Sequence, residues 1–164
     1  MGTLDLELVE WPANKKVSGA ELDLLARQNL WQRGLDFKHG TGHGVGTYLN
    51  VHEGPQGISK YSTVELLEGM CVSDEPGYYE DGEFGIRIEN VIVCQKHDKH
   101  PGFLCWKNFT VAPYCRELIK VELLSEEHRA HLNKFNARCL KELKPLLKDD
   151  KRALEYVKRQ CAAL

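Results

Sequence analysis

Three places in the sequence gather polar side chains in apolar or glycine-rich surroundings: His39, His43 and His52; Asp74 and Glu75; Arg87 and Glu89. Imidazole and carboxylate together suit Mn, Fe, Co or Zn, and an oxygen-rich donor set leans towards Mn. Two bridged metals would generate hydroxide and stabilise a tetrahedral intermediate, as in the hydrolysis of an amide. Histidines beside such a centre could donate hydrogen bonds to the developing oxyanion. Plainer readings exist. A His in a strand is usually a satisfied core or surface residue, Glu75 before Pro76-Gly77 could be a turn carboxylate, and Arg87 with Glu89 could be a same-face ion pair. No compact ligand motif such as H-E-x-x-H occurs, so spacing alone leaves the plainer readings ahead.

The elements that must position these residues are partly legible. Glycines stand at 40, 42, 44 and 46. If this segment is extended, the glycines share one face and His39, Thr41, His43 and Val45 share the other. A glycine strip lets another layer of backbone or a ligand come close. The spacing is not G-x-G-x-x-G and no helix pattern follows, which excludes a dinucleotide loop. Met70 to Ser73 reads as a short strand stopped by Glu75-Pro76-Gly77, and Asp81-Gly82 is a turn signal. Residues 85–95 give the clearest strand pattern. There Ile86, Ile88, Asn90 and Ile92 point one way, and Arg87, Glu89, Val91 and Val93 the other. Charges on a strand that otherwise looks buried are costly unless paired or metal-bound.

Helices flank this region. Ser18 and Glu21 have capping-box spacing, Leu22, Leu25, Ala26 and Leu30 follow on one face, and Gly34 suits a left-handed cap, which predicts a helix over 19–33. Residues 1–17 read as an irregular lead-in and 54–69 as a loop. One or two strands are expected over 103–114 and a further one over 121–124. Ser125 caps a helix whose stripe is Leu132, Phe135, Cys139 and Leu143, with Pro145 as its breaker. A final helix spans 149–163, with Leu154, Val157 and Cys161 on one face.

Composition sets the outer bounds. The chain has 164 residues and 18.7 kDa, 42% hydrophobic and 28% charged, which is the make-up of one globular domain. A net charge of -2 and a pI near 6.4 argue against a nucleic-acid or membrane-surface binder. No apolar run reaches the roughly 18 residues of a membrane span, and Met1–Glu10 lacks the features of a signal peptide. The six cysteines show no CxxC pair and read as reduced thiols of a cytoplasmic protein. Asn108-Phe109-Thr110 matches a glycosylation pattern but lacks a secretion signal. The Cys161-Ala-Ala-Leu164 ending fits a prenylation pattern, though Cys161 on the apolar face of a helix favours an ordinary helix end.

His39-Gly-Thr-Gly-His43-Gly-Val-Gly, Leu49-Asn-Val-His52-Glu53-Gly-Pro, Ser73-Asp-Glu75-Pro-Gly-Tyr-Tyr-Glu-Asp-Gly and Phe84-Gly-Ile-Arg87-Ile-Glu89-Asn-Val occur in that order. In motif, order and gap the sequence resembles the eukaryotic cytosolic X-prolyl aminopeptidases (aminopeptidase P) from about residue 18 to the C-terminus. The resemblance implies an α+β pita-bread fold of the creatinase superfamily, a curved antiparallel sheet with helices packed on it. It also implies a dinuclear centre, usually Mn with Zn or Co as alternatives, that hydrolyses the N-terminal Xaa–Pro bond of peptides with proline second. His43, Glu75 and Glu89 match metal ligands, with Glu75 also the proton shuttle and Glu89 the bridging ligand. His39 and His52 match the two non-ligand histidines that orient substrate and stabilise the intermediate, and Arg87 the arginine that supports the site.

The family's two aspartate ligands belong to the first half of the pita bread, and Asp5 does not match either motif. The expectation is therefore the second half of a catalytic domain, with residues 18–164 as that half. On that reading the chain alone binds metal weakly or not at all and turns over little substrate. It also self-associates unless its partner half covers the exposed sheet edges. The alternatives are a pita-bread module that binds without catalysis and a prolidase-type dipeptidase.

Overall fold

A computed structural model describes residues 1–48 and 50–164; Leu49, the first residue of one quoted motif, lies outside the described residues. Two compact units divide the chain, Met1–Thr110 and Val111–Leu164.

The first unit opens with helix α1 (Gly2–Leu8), where the sequence pattern predicts irregular chain. Seven residues are too few for a helical period to stand out, and α1 is held by packing instead. A Cβ on Gly2 would lie 2.1 Å from the Ala26 carbonyl oxygen, so only glycine lets α1 approach helix α2 (Gly19–Trp31) this closely. The capping box forms: Glu21 Oε2 accepts from the Ser18 backbone N–H at 2.7 Å. Gly34 takes the left-handed conformation expected of it.

The main sheet has the antiparallel order β1-β8-β7-β4, with β1 Trp11–Pro12, β4 Cys71–Asp74, β7 Asn90–Lys96 and β8 Phe103–Asn108. Two ribbons accompany it, β2–β3 (Gly42–His43 with Gly57–Ile58) and β5–β6 (Gly77–Glu80 with Phe84–Arg87). Leu6, Trp11, Leu22, Ile58, Leu66, Val72, Ile92 and Trp106 form the core between sheet and helices.

The single strand expected over 85–95 is two strands in two sheets. Strand β6 pairs with β5, and β7 pairs with β4. Pro76 has no N–H to extend the ladder, and its carbonyl accepts instead from Ile88 N–H at 3.2 Å. The register is the same on both sides of this break: Asp74 faces Asn90 and Gly77 faces Arg87, which sets Glu75 opposite Glu89. Gly77–Glu80, beyond the expected stop, is itself a strand because the same register carries on past Glu75-Pro76. In the glycine-rich segment strand pairing covers Gly42–His43, with a further antiparallel bridge from Gly44 to Val72.

In the second unit, residues 121–123 form a short 3-10 turn rather than a strand, and helix α3 (Glu126–Leu146) follows its Ser125 cap. Pro145 stands in the last turn of α3 and ends the helix there. Helix α4 (Lys151–Gln160) is shorter than the 149–163 pattern, because Asp150 caps it by accepting from Ala153 N–H at 2.9 Å. Phe135, Cys139, Val157 and Cys161 make the α3–α4 core. Cys161 is thus a core residue, and Arg116 donates to the Ala162 and Ala163 carbonyls at 2.6 and 2.9 Å. The Asn108 amide donates to Glu7 at 2.7 Å, so the glycosylation pattern is turned into the fold. No described helix is long and apolar enough to cross a membrane.

Candidate metal centre

Strand β2 brings His43 to the end of β4. A Cβ on Gly42 would lie 1.8 Å from the Ser73 carbonyl oxygen, so glycine is needed for the two strands to meet. Three hydrogen bonds fix the contact. Glu75 N–H donates to Thr41 O at 2.7 Å, His43 N–H donates to Ser73 Oγ at 2.9 Å, and the Ser73 hydroxyl donates to Glu75 Oε1 at 3.1 Å. Glu89 arrives from the β6–β7 break. Ligand atoms of His43, Glu75 and Glu89 all lie within 4.8 Å of one another.

Proton positions follow from the partners. The Gly44 carbonyl can only accept, so His43 Nδ1 at 2.9 Å carries the hydrogen. His43 Nε2, the nitrogen left to ligate a metal when the ring is neutral, faces Glu75 Oε1 at 3.1 Å. Glu89 stands opposite Glu75, so two carboxylates and this nitrogen come together. One imidazole nitrogen and two carboxylates suit a divalent metal.

The other expected residues surround this cluster. The His52 ring centroid is 4.0 Å from that of His43. Arg87 Nε is 3.8 Å from Glu75 Oε2 and donates to the Tyr79 hydroxyl at 2.9 Å. His39 Nδ1–H donates to Gly40 O at 2.7 Å, and in the neutral ring Nε2 then accepts from the Tyr79 hydroxyl at 2.8 Å. A directed chain thus runs Arg87, Tyr79, His39, Gly40. A cleft of about 540 Å³ opens beside His39 and Tyr79, with Phe37 and Tyr78 in its walls. Ser73 and Tyr79 were not singled out from the sequence. Strand alternation places Ser73 on the face of Glu75, a usable signal, whereas Tyr79 depends on the β5–β6 pairing.

Asp74, the other half of the expected acidic pair, turns away from the cluster. It is fully buried, and neither of its oxygens meets a hydrogen-bond partner among the described residues. Burial pushes its carboxyl well above the usual range, and Glu7 and Glu75 push it further. A second His–carboxylate cluster, Glu10, His97 and His100, lies elsewhere. His97 Nδ1 accepts from the Lys99 and His100 backbone N–H groups, both at 2.9 Å, so its Nε2 carries the hydrogen and donates to Glu10 at 2.8 Å. A nitrogen that bears a proton is not a ligand, and this cluster ties the β1 end of the sheet to the chain beyond β7.

The sequence model of metallopeptidase family M24 matches residues 9–96, and that of the C-terminal region of the same peptidases matches 102–164. The chain belongs to metallopeptidase family M24. Among curated relatives of this M24 chain, a probable Xaa-Pro aminopeptidase P of Pyrenophora tritici-repentis is 45% identical over 98% of the chain. The putative Xaa-Pro aminopeptidase FRA1 of Saccharomyces cerevisiae is 43% identical over 99%. The chain spans 28% and 22% of these two proteins. The crystal structure of the X-prolyl aminopeptidase from Caenorhabditis elegans, a cytosolic enzyme with a di-nuclear active site, matches 99% of the chain with a TM-score of 0.91 and 38% identity, across 27% of its own length. A Bacillus anthracis Xaa-Pro dipeptidase matches 70% of the chain with a TM-score of 0.56 and 30% identity. The fold is thus that of part of a pita-bread domain, antiparallel sheets with helices, as the motifs imply.

Proposed function

We propose that this chain supplies His43, Glu75 and Glu89 to a dinuclear centre that removes an N-terminal residue preceding proline, with further ligands coming from outside these 164 residues. The observation that carries the reading is His43 Nε2 held 3.1 Å from Glu75 Oε1, with ligand atoms of His43, Glu75 and Glu89 all within 4.8 Å of one another. The similarity to Xaa-Pro aminopeptidases P and to the worm X-prolyl aminopeptidase along almost the whole chain supports the substrate class. A binding module without catalysis would have no need to keep His39, His43, His52, Glu75 and Glu89 together.

The metals would polarise the scissile carbonyl and lower the pKa of the attacking water. Mn suits the oxygen-rich set best, with Zn or Co as alternatives. Glu75 would carry a proton from the water to the leaving proline nitrogen, a role its neighbours His43 and Arg87 support. Glu89 would bridge. His52, packed on the His43 ring, and His39 would hold substrate and the developing oxyanion; His39 can do so by exchanging its Tyr79 partner. Arg87 holds Tyr79 and leans on Glu75. A cytosolic setting agrees with six unpaired thiols and with the worm enzyme.

Titrating the chain with Mn or Zn tests this reading. The ring signals of His43 should broaden with Mn or shift with Zn, weakly for the chain alone, and Glu89→Ala should weaken the response further. A hydrolysis assay on an Xaa-Pro-Xaa peptide should show no turnover by the isolated chain. Metal that leaves His43 untouched while occupying another site would overturn the assignment.

A further inference from the structure

Helix α2 carries a buried ion pair that the metal centre does not use. Asp23 and Arg27 are 5% and 8% exposed, and Arg27 Nε donates to Asp23 Oδ2 at 2.8 Å. The guanidinium then reaches out of its own helix. Nη1 donates to Asp36 Oδ1 at 2.8 Å and to the Phe37 carbonyl at 2.7 Å, and Nη2 donates to the His39 carbonyl at 2.8 Å. Its Cζ lies 3.9 Å from the centre of the Phe37 ring, and that ring stands 4.9 Å from the His39 ring. The second Asp23 oxygen accepts from the Thr41 hydroxyl. One helical turn thus grips four of the six residues from Asp36 to Thr41, two of them by backbone carbonyls.

We propose that Arg27, set by Asp23, is a positioning residue for His39. Only a planar fork with several N–H groups can hold two alternate carbonyls and two carboxylates at once; a lysine ammonium is a point donor. With the backbone of residues 37–39 fixed, the His39 ring meets Gly40 O through Nδ1 and Tyr79 through Nε2. Loosening the backbone frees the ring to lose both partners. The inference deepens the peptidase reading above, because it rests on His39 being a substrate-facing group.

The test is histidine NMR on the whole chain, in which two-bond nitrogen–proton correlations assign the tautomer of each ring. Wild-type His39 should be the Nδ1–H form. In Arg27→Lys the Nδ1–H form of His39 should lose its dominance to a mixture with the Nε2–H form, while His43 keeps its Nδ1–H form and thermal melting stays cooperative. Asp36→Asn, which removes one exposed partner, should give a smaller change of the same kind and decides the matter if Arg27→Lys does not fold. An unchanged His39 tautomer in the folded variants, even with a lower melting temperature, would make Arg27 a stabilising residue only and overturn the proposal. Metal titration of the same samples reads His43, so failure of the metal assignment shows separately from failure of the Arg27 assignment.

Discussion

The Ser73 hydroxyl accepts from His43 N–H at 2.9 Å and donates to Glu75 Oε1 at 3.1 Å, so one buried oxygen sets the spacing of two candidate ligands. Removing it should leave the fold intact and the ligands loose. Ser73→Ala is expected to bind Zn or Mn about 10- to 100-fold more weakly than the parent chain, the usual cost of losing an outer hydrogen-bonding partner, as read by calorimetric titration. At this scale the sequence was informative where a motif names a residue. His43, Glu75 and Glu89 stand in recognisable runs, and the structure brings them within 4.8 Å. Arg27 was invisible for a physical reason. Asp23 and Arg27 four apart on a helix look like a solvent-exposed pair, and only the packing of residues 36–41 over α2 makes them buried and indispensable to each other.

Among the elements, the β2–β4 contact is the one the centre depends on. Gly42→Ala would place a methyl 1.8 Å from the Ser73 carbonyl, on backbone that cannot move without dragging His43 and Glu75 apart. The expected cost is about 2–3 kcal/mol, towards the upper end for overpacking, or a melting temperature lower by roughly 5–10 °C. Circular dichroism melts would check it, and an unchanged melt would mean the strands have room to spare. The glycine strip was legible as a place of close approach, but its partner was not, since a strand of two residues has no period to read. Alternation placed Arg87 and Glu89 on one side and did not reveal that the strand breaks between them. That break comes from Pro76 between the neighbouring strands β4 and β5, a cause outside the segment itself. Helix α1 escaped for the same kind of reason, being short and held by α2.

Over the whole molecule, each unit carries its own buried thiol. Burial pushes the Cys94 thiol in the sheet core up to about 12 and the Cys139 thiol in the α3–α4 core up to about 11, from an ordinary value of 9.0. A thiol raised by folding supports the fold below its unfolded pKa and withdraws that support as pH climbs through the folded value. Melting temperature should therefore hold steady to about pH 9 and fall between there and pH 11–12. Cys139→Ala should soften the fall, beginning from a lower melting temperature because of the cavity. At pH 8, iodoacetamide should modify exposed Cys115 quickly and reach Cys94 and Cys139 only as each unit opens, which mass spectrometry of timed samples can follow. Equal labelling of Cys94 and Cys115 would show that the first core is not closed.

The Arg27 clamp also has a bearing on the order in which the molecule assembles. Its partners lie 4, 9, 10 and 12 residues away along the chain, whereas His43 reaches Ser73 across 30 residues and Glu7 reaches Asn90 across 83. Short loops close at small entropic cost, so helix α2 can capture residues 36–39 before the sheet exists. The chain entering β2 would then already be pointed towards the strand it has to find, and the late, long-range search would be left with fewer ways to miss.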